Sequence, residues 1–208
     1  MKAGAWLGKL HKRFRDEKVR LFFEELSPDP NGTMLDLGGG HGVTGEFAGL
    51  HRHFRETIVM NVTAAHLFEG IDGRPIAQRL VQGDATEIPL ADESVDYVFS
   101  NAVLEHVGDR EKQLRFAREV VRVARKGYFV ATPNRTFPLD PHTLLPAYHY
   151  APERLQRRLI KFSLGEMKEY EDLRLVSAGE LREMFPRAEV RPLGLRPLRN
   201  NLVVFARL

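Results

Sequence analysis

A cluster of glycines is the sequence feature that most constrains the fold of this chain. Four of the five residues from 38 to 42 are glycine, and they directly follow a short apolar segment, residues 33–37, that is typical of a β-strand. Residues 43–50 favour a helix. Glycine allows positive φ angles and lets a ligand approach the backbone closely. The order strand, glycine loop, helix therefore predicts a ligand-binding turn at the carboxyl end of a strand in an α/β sheet.

Strand and helix patterns alternate through the first 132 residues. The predicted strands are residues 33–37, 56–62, 76–82, 95–100 and 128–132, and the predicted helices are residues 5–26, 43–50 and 109–125, with a helix or turn at 63–70. This alternation favours parallel strands joined by helical crossovers that cover both faces of the sheet. After a proline-rich stretch, the pattern resumes with a helix at 177–185 and strands at 187–193 and 202–208.

These patterns predict a single domain made of four segments. Residues 1–32 form an N-terminal helix and a linker, and residues 33–132 form the ligand-binding core. Residues 133–177 contain five prolines and several aromatic residues, so we interpret them as a lid inserted after the fifth strand. Residues 178–208 supply a last helix and the final strands.

The charge balance disfavours nucleic acid as a partner. There are 31 Lys and Arg against 28 Asp and Glu, a net charge of +3, which is too small for a general phosphate-binding field. Basic residues cluster at 9–20 and at 154–161, interleaved with Leu and Phe. We interpret both clusters as solvated faces of amphipathic helices. A basic amphipathic helix can also lie on an anionic membrane, so peripheral membrane contact stays an alternative.

The chain has no cysteine, which excludes disulfides, thiolate zinc sites and cysteine nucleophiles. No apolar run approaches the roughly 20 residues of a membrane span, and no signal-like apolar block follows Met1. The expected location is the reducing cytoplasm.

Two kinds of ligand are compatible with the glycine loop. Residues 40–45 fit the dinucleotide pattern G-x-G-x-x-G, which alone is a weak signal. Asp36, just before the loop, would repel a pyrophosphate, and no hydride-transfer constellation follows. An acidic residue at this position suits a ligand with a cationic end.

Four motifs together resemble the class I S-adenosylmethionine-dependent methyltransferases. Residues 36–42 match the first motif of that family, D-x-G-x-G-x-G, and residues 83–85 match its adenine-contacting acidic position. Residues 90–98 match the entry to the fourth strand, and residues 101–107 match the segment after it in the small-molecule branch, which includes quinone and lipid-precursor methyltransferases. The resemblance implies a Rossmann-like, seven-stranded, mostly parallel sheet with helices on both faces and an antiparallel last strand beside the fifth.

The resemblance also implies the cofactor and its contacts. S-adenosylmethionine would be converted to S-adenosylhomocysteine as a methyl group passes to a small or lipid-like acceptor. By motif position, the amino-acid end of the cofactor would be held by Asp36 and the glycine loop, the ribose by Asn61, the adenine by Asp84 and Ala85, and the methyl side by Asn101. The cofactor-binding candidates are Asp36, Gly38, Gly40, Gly42, Asn61, Asp84, Ala85 and Asn101.

Asn61 departs from the family pattern, which usually has Asp or Glu at this position. A carboxylate accepts hydrogen bonds from both ribose hydroxyls, whereas an amide offers one acceptor oxygen and two donors. Charge-assisted bonds are about twice as strong as neutral ones. We therefore expect weaker cofactor binding than with a carboxylate, and tighter binding on restoring Asp.

Two histidines are candidate catalytic residues. His106 follows the fourth predicted strand, close to where the methyl group would lie, and His142 belongs to the lid. Either could act as a general base, or could simply bind backbone groups. Asp140, His142 and His149 match no strong zinc pattern, so we expect no metal. The alternatives to methyl transfer are a dinucleotide-dependent oxidoreductase and a cofactor-binding domain without catalytic activity.

Overall fold

The computed structural model describes residues 2–39, 47–62, 78–194 and 199–208. Its helices are α1 (Lys2–Leu26), α2 (Ala48–His51), α3 (Arg110–Val123), α4 (Glu153–Leu159) and α5 (Ala178–Met184). Its strands are β1 (Thr33–Leu37), β2 (Glu56–Asn61), β3 (Gln78–Gln82), β4 (Val95–Asn101), β5 (Ala124–Pro133), β6 (Glu189–Leu193) and β7 (Asn201–Arg207).

The seven strands form one sheet in the order β3-β2-β1-β4-β5-β7-β6. Strands β1 to β5 run parallel to one another, and β7 pairs antiparallel with both β5 and β6. The predicted fold class is thereby confirmed, including the antiparallel last strand beside the fifth. The strand order reverses between β1 and β4, and such a switch point is where open α/β sheets bind ligands.

Helices cover both faces of the sheet because each face is apolar. On one face, Phe116 and Val120 of α3 and Leu181 of α5 are fully buried against the strands. On the other face, Phe22 of α1 lies in edge-to-face contact with the ring of Phe99. The two apolar layers fix the strands, and with them the loops that follow each strand.

Helix α3 shows how local signals set an element's bounds. Its start is capped by Asp109, whose side chain accepts a hydrogen bond from the amide of Lys112 at 2.9 Å, as a good N-cap residue does. The helix ends two residues earlier than predicted, and β5 begins at once with Ala124. The reason is tertiary, because Ala124 pairs with Val95 of β4.

The segment between β5 and α5 has a small apolar cluster of its own. Tyr148, Ile160 and Met167 are buried there, and Leu159 of α4 packs against them. The rest of α4 faces outward, since Leu155 is 45% exposed. No helix in the described ranges is long and apolar enough to cross a membrane.

Candidate functional site

A cavity of about 390 Å³ lies at the carboxyl ends of four parallel strands. Its wall is formed by residues at the ends of β1 and β2 and by the loops after β3 and β4. Four of the predicted cofactor residues line it, and so does one predicted catalytic residue: Gly38, Asn61, Asp84, Ala85 and His106. The volume falls in the range of small-molecule and cofactor sites, about 300–1,000 Å³.

The glycine turn begins with two residues that have no room for a side chain. Gly38 has a φ angle of +81°, and a β-carbon there would overlap the side chain of Val103. A β-carbon at Gly39 would lie 2.5 Å from Oδ2 of Asp36 and 2.9 Å from the side chain of Val59. The backbone of this turn therefore reaches the cavity edge without side chains, and a ligand can approach it closely. The predicted Gly40 and Gly42 lie outside the described residues.

Asp36 has a buried partner that the sequence did not reveal. The Nε2 atom of His51, on α2, lies 2.7 Å from Oδ2 of Asp36, and His51 is fully buried. Asp36 itself is 4% exposed and is not part of the cavity wall. The carboxylate therefore lies beneath Gly39 and ties α2 to the strand that carries the turn.

Asn61 ends β2 and contacts the turn directly. Its Nδ2 donates to the carbonyl oxygen of Gly39 at 3.0 Å and, more weakly, to that of Gly38 at 3.4 Å. The amide therefore uses its donor side on the glycine turn and also lines the cavity. A carboxylate has no such donor, so the residue that departs from the family pattern has a function in the loop itself.

Asp84 and Ala85 form a turn after β3. Oδ1 of Asp84 accepts hydrogen bonds from both the amide and the hydroxyl of Thr86, each at 2.8 Å. The hydrogen bond from the Thr86 amide is the main reason that the pKa of Asp84 lies below its ordinary value. Asp84 is therefore a carboxylate at neutral pH, held at the cavity edge beside the buried Ala85.

Asn101, at the end of β4, is contacted by a lysine from the N-terminal helix. Nζ of Lys18 donates to Oδ1 of Asn101 at 2.7 Å, and Lys18 is only 8% exposed. Asn101 does not line the cavity, but the next residue, Ala102, does. The sequence pattern predicts that Lys18 lies on a solvated helix face, and this prediction is wrong because Lys18 is buried.

The two candidate catalytic histidines meet beside the cavity. The rings of His106 and His142 are perpendicular, with centroids 5.4 Å apart. Of the two, His106 lines the cavity. Glu105, which the sequence analysis did not select, lies between β4 and the lid and is fully buried, with Oε1 at 3.9 Å from Nε2 of His142.

His149 belongs to a separate pair in the lid. Its Nδ1 lies 3.5 Å from Oδ2 of Asp140, and its Nε2 is 2.9 Å from the backbone carbonyl of Arg135. The Asp140 carboxylate also accepts hydrogen bonds from the amide and hydroxyl of Thr143. This pair fastens the lid loop.

Known proteins are similar to this core in both sequence and fold. Residues 35–131 match a family described as a methyltransferase domain. A malonyl-(acyl-carrier protein) O-methyltransferase of Methylococcus capsulatus is 39% identical over 116 residues, which are 53% of this chain and 40% of the relative. The chain thus aligns with less than half the length of that relative.

Solved structures extend the similarity to almost the whole chain, as a similarity of fold. An S-adenosylmethionine-dependent methyltransferase from Mesorhizobium loti superposes with a TM-score of 0.62 at 18% identity, over 91% of this chain and 95% of that one. The cyclase SpnF superposes equally well, with a TM-score of 0.62 at 13% identity, over 92% and 80%. Residues 35–131 are therefore similar in sequence to a methyltransferase domain, and the chain shares the fold of S-adenosylmethionine-dependent methyltransferases.

Proposed function

We propose that this chain transfers the methyl group of S-adenosylmethionine to a small or lipid-like acceptor. The observation that carries the proposal is the position of His106. It lines the cavity at the carboxyl edge of the sheet and also contacts the lid residue His142. The cavity and the lid therefore meet at one residue, as a site with a cofactor on one side and an acceptor on the other requires.

The residues of the cavity wall suit the parts of the cofactor in order. The bare backbone at Gly38 would admit the amino-acid end, Asn61 would contact the ribose, and Asp84 with Ala85 would contact the adenine. Asp36 would act on the amino-acid end through the turn that it supports. Gly40 and Gly42 stay candidates for the same end by motif position, and Asn101 for the methyl side.

The protein has to align and shield the reacting groups. S-adenosylmethionine supplies a methyl group that is already electrophilic. Orientation of the two reactants can lower the barrier by several kcal/mol, and the lid over His106 would exclude water. An oxygen or nitrogen acceptor must also lose a proton, and His106 and His142 are the nearby groups of suitable type.

An acceptor with an apolar part agrees with the surface around the lid. Phe162 and Leu164 are 59% and 76% exposed there. The relative from Methylococcus capsulatus is named for a methyl transfer to oxygen on a carrier-bound malonyl group. We therefore favour an oxygen nucleophile on a lipid precursor, either soluble or at a membrane surface.

Binding and turnover measurements test the proposal in sequence. Isothermal titration calorimetry should detect one S-adenosylhomocysteine per chain and no NAD. Incubation with methyl-labelled S-adenosylmethionine and a panel of fatty-acyl thioesters, polyprenyl phenols and phenols should then transfer label. Binding of NAD alone would support an oxidoreductase. Tight cofactor binding without transfer to any class of acceptor would support a domain without catalytic activity.

A further inference from the structure

Glu105 has a buried carboxylate oxygen that lacks a hydrogen-bond partner. The residue is fully buried, and its Oε2 accepts a hydrogen bond from the hydroxyl of Thr132 at 3.0 Å. Its Oε1 has no hydrogen-bond partner within the described part of the chain. Burying a carboxylate costs several kcal/mol unless a cation or enough donors compensate the charge. A cation bound next to Oε1 would compensate this charge.

Two imidazole side chains lie near the Glu105 carboxylate. Nε2 of His142 lies 3.9 Å from it, and His106 follows Glu105 directly in the chain. One potential ligand atom from each of Glu105, His106 and His142 lies within 4.8 Å of the other two. Nδ1 of His142 is also buried and has no hydrogen-bond partner among the described residues. Polar atoms of these residues thus lie close together without forming hydrogen bonds that would compensate their burial.

We propose that Glu105, His106 and His142 bind a divalent transition-metal ion, with zinc as the best match. Two imidazoles and one carboxylate form a donor set of zinc sites that keep an open position for a further ligand. Donors about 2.1 Å from a shared zinc ion are about 3–3.5 Å apart, so atoms up to 4.8 Å apart need to approach one another by roughly 1.5 Å. The exposed side chain of His106 has room for such a movement.

A carboxylate beside one of the two histidines favours the same assignment. Oε2 of Glu171 lies 3.6 Å from Nδ1 of His106. A carboxylate beside a metal-binding histidine orients the ring and increases its basicity. Together with Glu105, Glu171 makes the surroundings of the proposed ion acidic.

The position of the site gives the ion a role in methyl transfer, and that role rests on the proposed function. Because His106 lines the cavity, an ion held by these three side chains would lie at the edge of the site proposed for methyl transfer. A metal-bound hydroxyl group has a lower pKa than a free one. The two histidines would then act as ligands, and a general base would not be required from either.

Zinc binding can be measured without any turnover. The full chain, stripped with a chelator, should bind one equivalent of Zn²⁺ in calorimetry, and Co²⁺ should give the visible absorption bands of a low-coordinate site. His106→Ala is the first variant because its exposed side chain makes misfolding a small risk. This variant, His142→Ala and Glu105→Gln should each weaken binding at least tenfold. His53→Gln is the matched control and should leave zinc binding unchanged, since His53 belongs to another part of the fold, where it is hydrogen-bonded to the Pro28 carbonyl.

Thermal unfolding gives an independent readout. Saturating Zn²⁺ should raise the Tm of the wild type, because a ligand that binds only the folded state stabilises it, and should raise it less in His106→Ala. Zinc binding that is equally strong in His106→Ala and His142→Ala, or absent in the wild type, would overturn the proposal. S-adenosylhomocysteine binding, measured separately, shows whether the cofactor site itself is intact.

Discussion

Asn61 holds the glycine turn as well as lining the cavity, because its Nδ2 donates to the carbonyl oxygen of Gly39 at 3.0 Å. The expectation from the sequence alone, that Asn61→Asp tightens cofactor binding, is reversed by this contact. A carboxylate would lose the donor and face two carbonyl oxygens. We expect Asn61→Asp to bind S-adenosylhomocysteine about tenfold more weakly, roughly the loss of one hydrogen bond to a partner that stays unsatisfied. Calorimetry on wild type, Asn61→Asp and Asn61→Ala measures this, and tighter binding by the Asp variant would restore the original expectation.

Gly38 and Gly49 form a matched pair for substitution by alanine. At Gly38 the positive φ angle and the side chain of Val103 both oppose a β-carbon, so Gly38→Ala should abolish S-adenosylhomocysteine binding and lower the Tm. At Gly49, on α2, nothing lies within 4 Å of the added carbon. Gly49→Ala should be neutral or more stable by about 0.5–1 kcal/mol. Normal binding by Gly38→Ala would mean that the turn does not approach the cofactor.

Removing Asp36 should affect the free protein as well as cofactor binding. The fully buried His51 would lose the carboxylate that lies 2.7 Å away. We expect Asp36→Ala to lower the free energy of unfolding by about 1–3 kcal/mol, the cost of a broken buried hydrogen bond. Asp36→Asn keeps an acceptor at the same place and should be milder. Urea unfolding without cofactor measures both, and an unchanged midpoint for Asp36→Ala would mean that Asp36 acts only on the ligand.

The lowered pKa of Asp96 leads us to expect a specific dependence of the free energy of unfolding on pH. Burial acts to raise the pKa of Asp96, but hydrogen bonds from Arg125, the Thr33 amide and Lys126 outweigh it, and the net pKa lies below the ordinary value. A depressed pKa in the folded state stabilises the protein above the unfolded pKa of about 3.9. This contribution is lost as the pH falls through the folded pKa.

The variant Asp96→Asn isolates this contribution. At pH 7 it should be less stable than the wild type by about 1.5–3 kcal/mol, the value of hydrogen bonds to a charged group. The difference should narrow between about pH 4 and pH 2. Urea unfolding across this range tests it, and a constant difference would show that the charge of Asp96 is not what stabilises the fold.

The exposed apolar residues of the lid predict contact with an anionic membrane. Leu155 of α4 and Phe162, three residues after the end of α4, are 45% and 59% exposed, so they do not serve mainly to pack the lid. Arg158 and Lys161 lie beside them. The wild type should co-float with anionic but not with neutral vesicles at low salt, and Phe162→Ser should reduce flotation. Leu208→Ser, at another exposed leucine, should not. Absence of wild-type flotation would favour an acceptor that is free in solution.

The sequence predicted those parts of the molecule that depend on local pattern. The strand ending at Leu37 and the turn at Gly38 follow from alternation and glycine content over a few residues. The pairs Asp36–His51 and Lys18–Asn101 could not be predicted in this way, because α-helices bring their members together from 15 and 83 positions apart. A basic residue in an amphipathic helix is usually solvated, and only the packing of α1 shows that Lys18 is not.

The cluster around Glu105 was missed for a related reason. The sequence identifies its two histidines separately, each by its own chemistry. It suggests a zinc site of Asp140, His142 and His149 only because these residues are close in sequence. The structure instead groups His142 with residues that follow β4. Spacing along the chain does not show which of the loops at the carboxyl edge are neighbours, because that depends on strand order.

The place of β7 in the sheet determines when this fold can be completed. Strand β5 pairs on one side with β7, whose first residue lies 68 positions after the end of β5. During synthesis, β5 therefore has an open edge until residues 201–207 have emerged, and an open apolar edge is a surface on which chains aggregate. Such long-range pairing also slows folding. Although the cavity is built from residues between 37 and 107, the sheet that supports it is completed only when β7 has been synthesised.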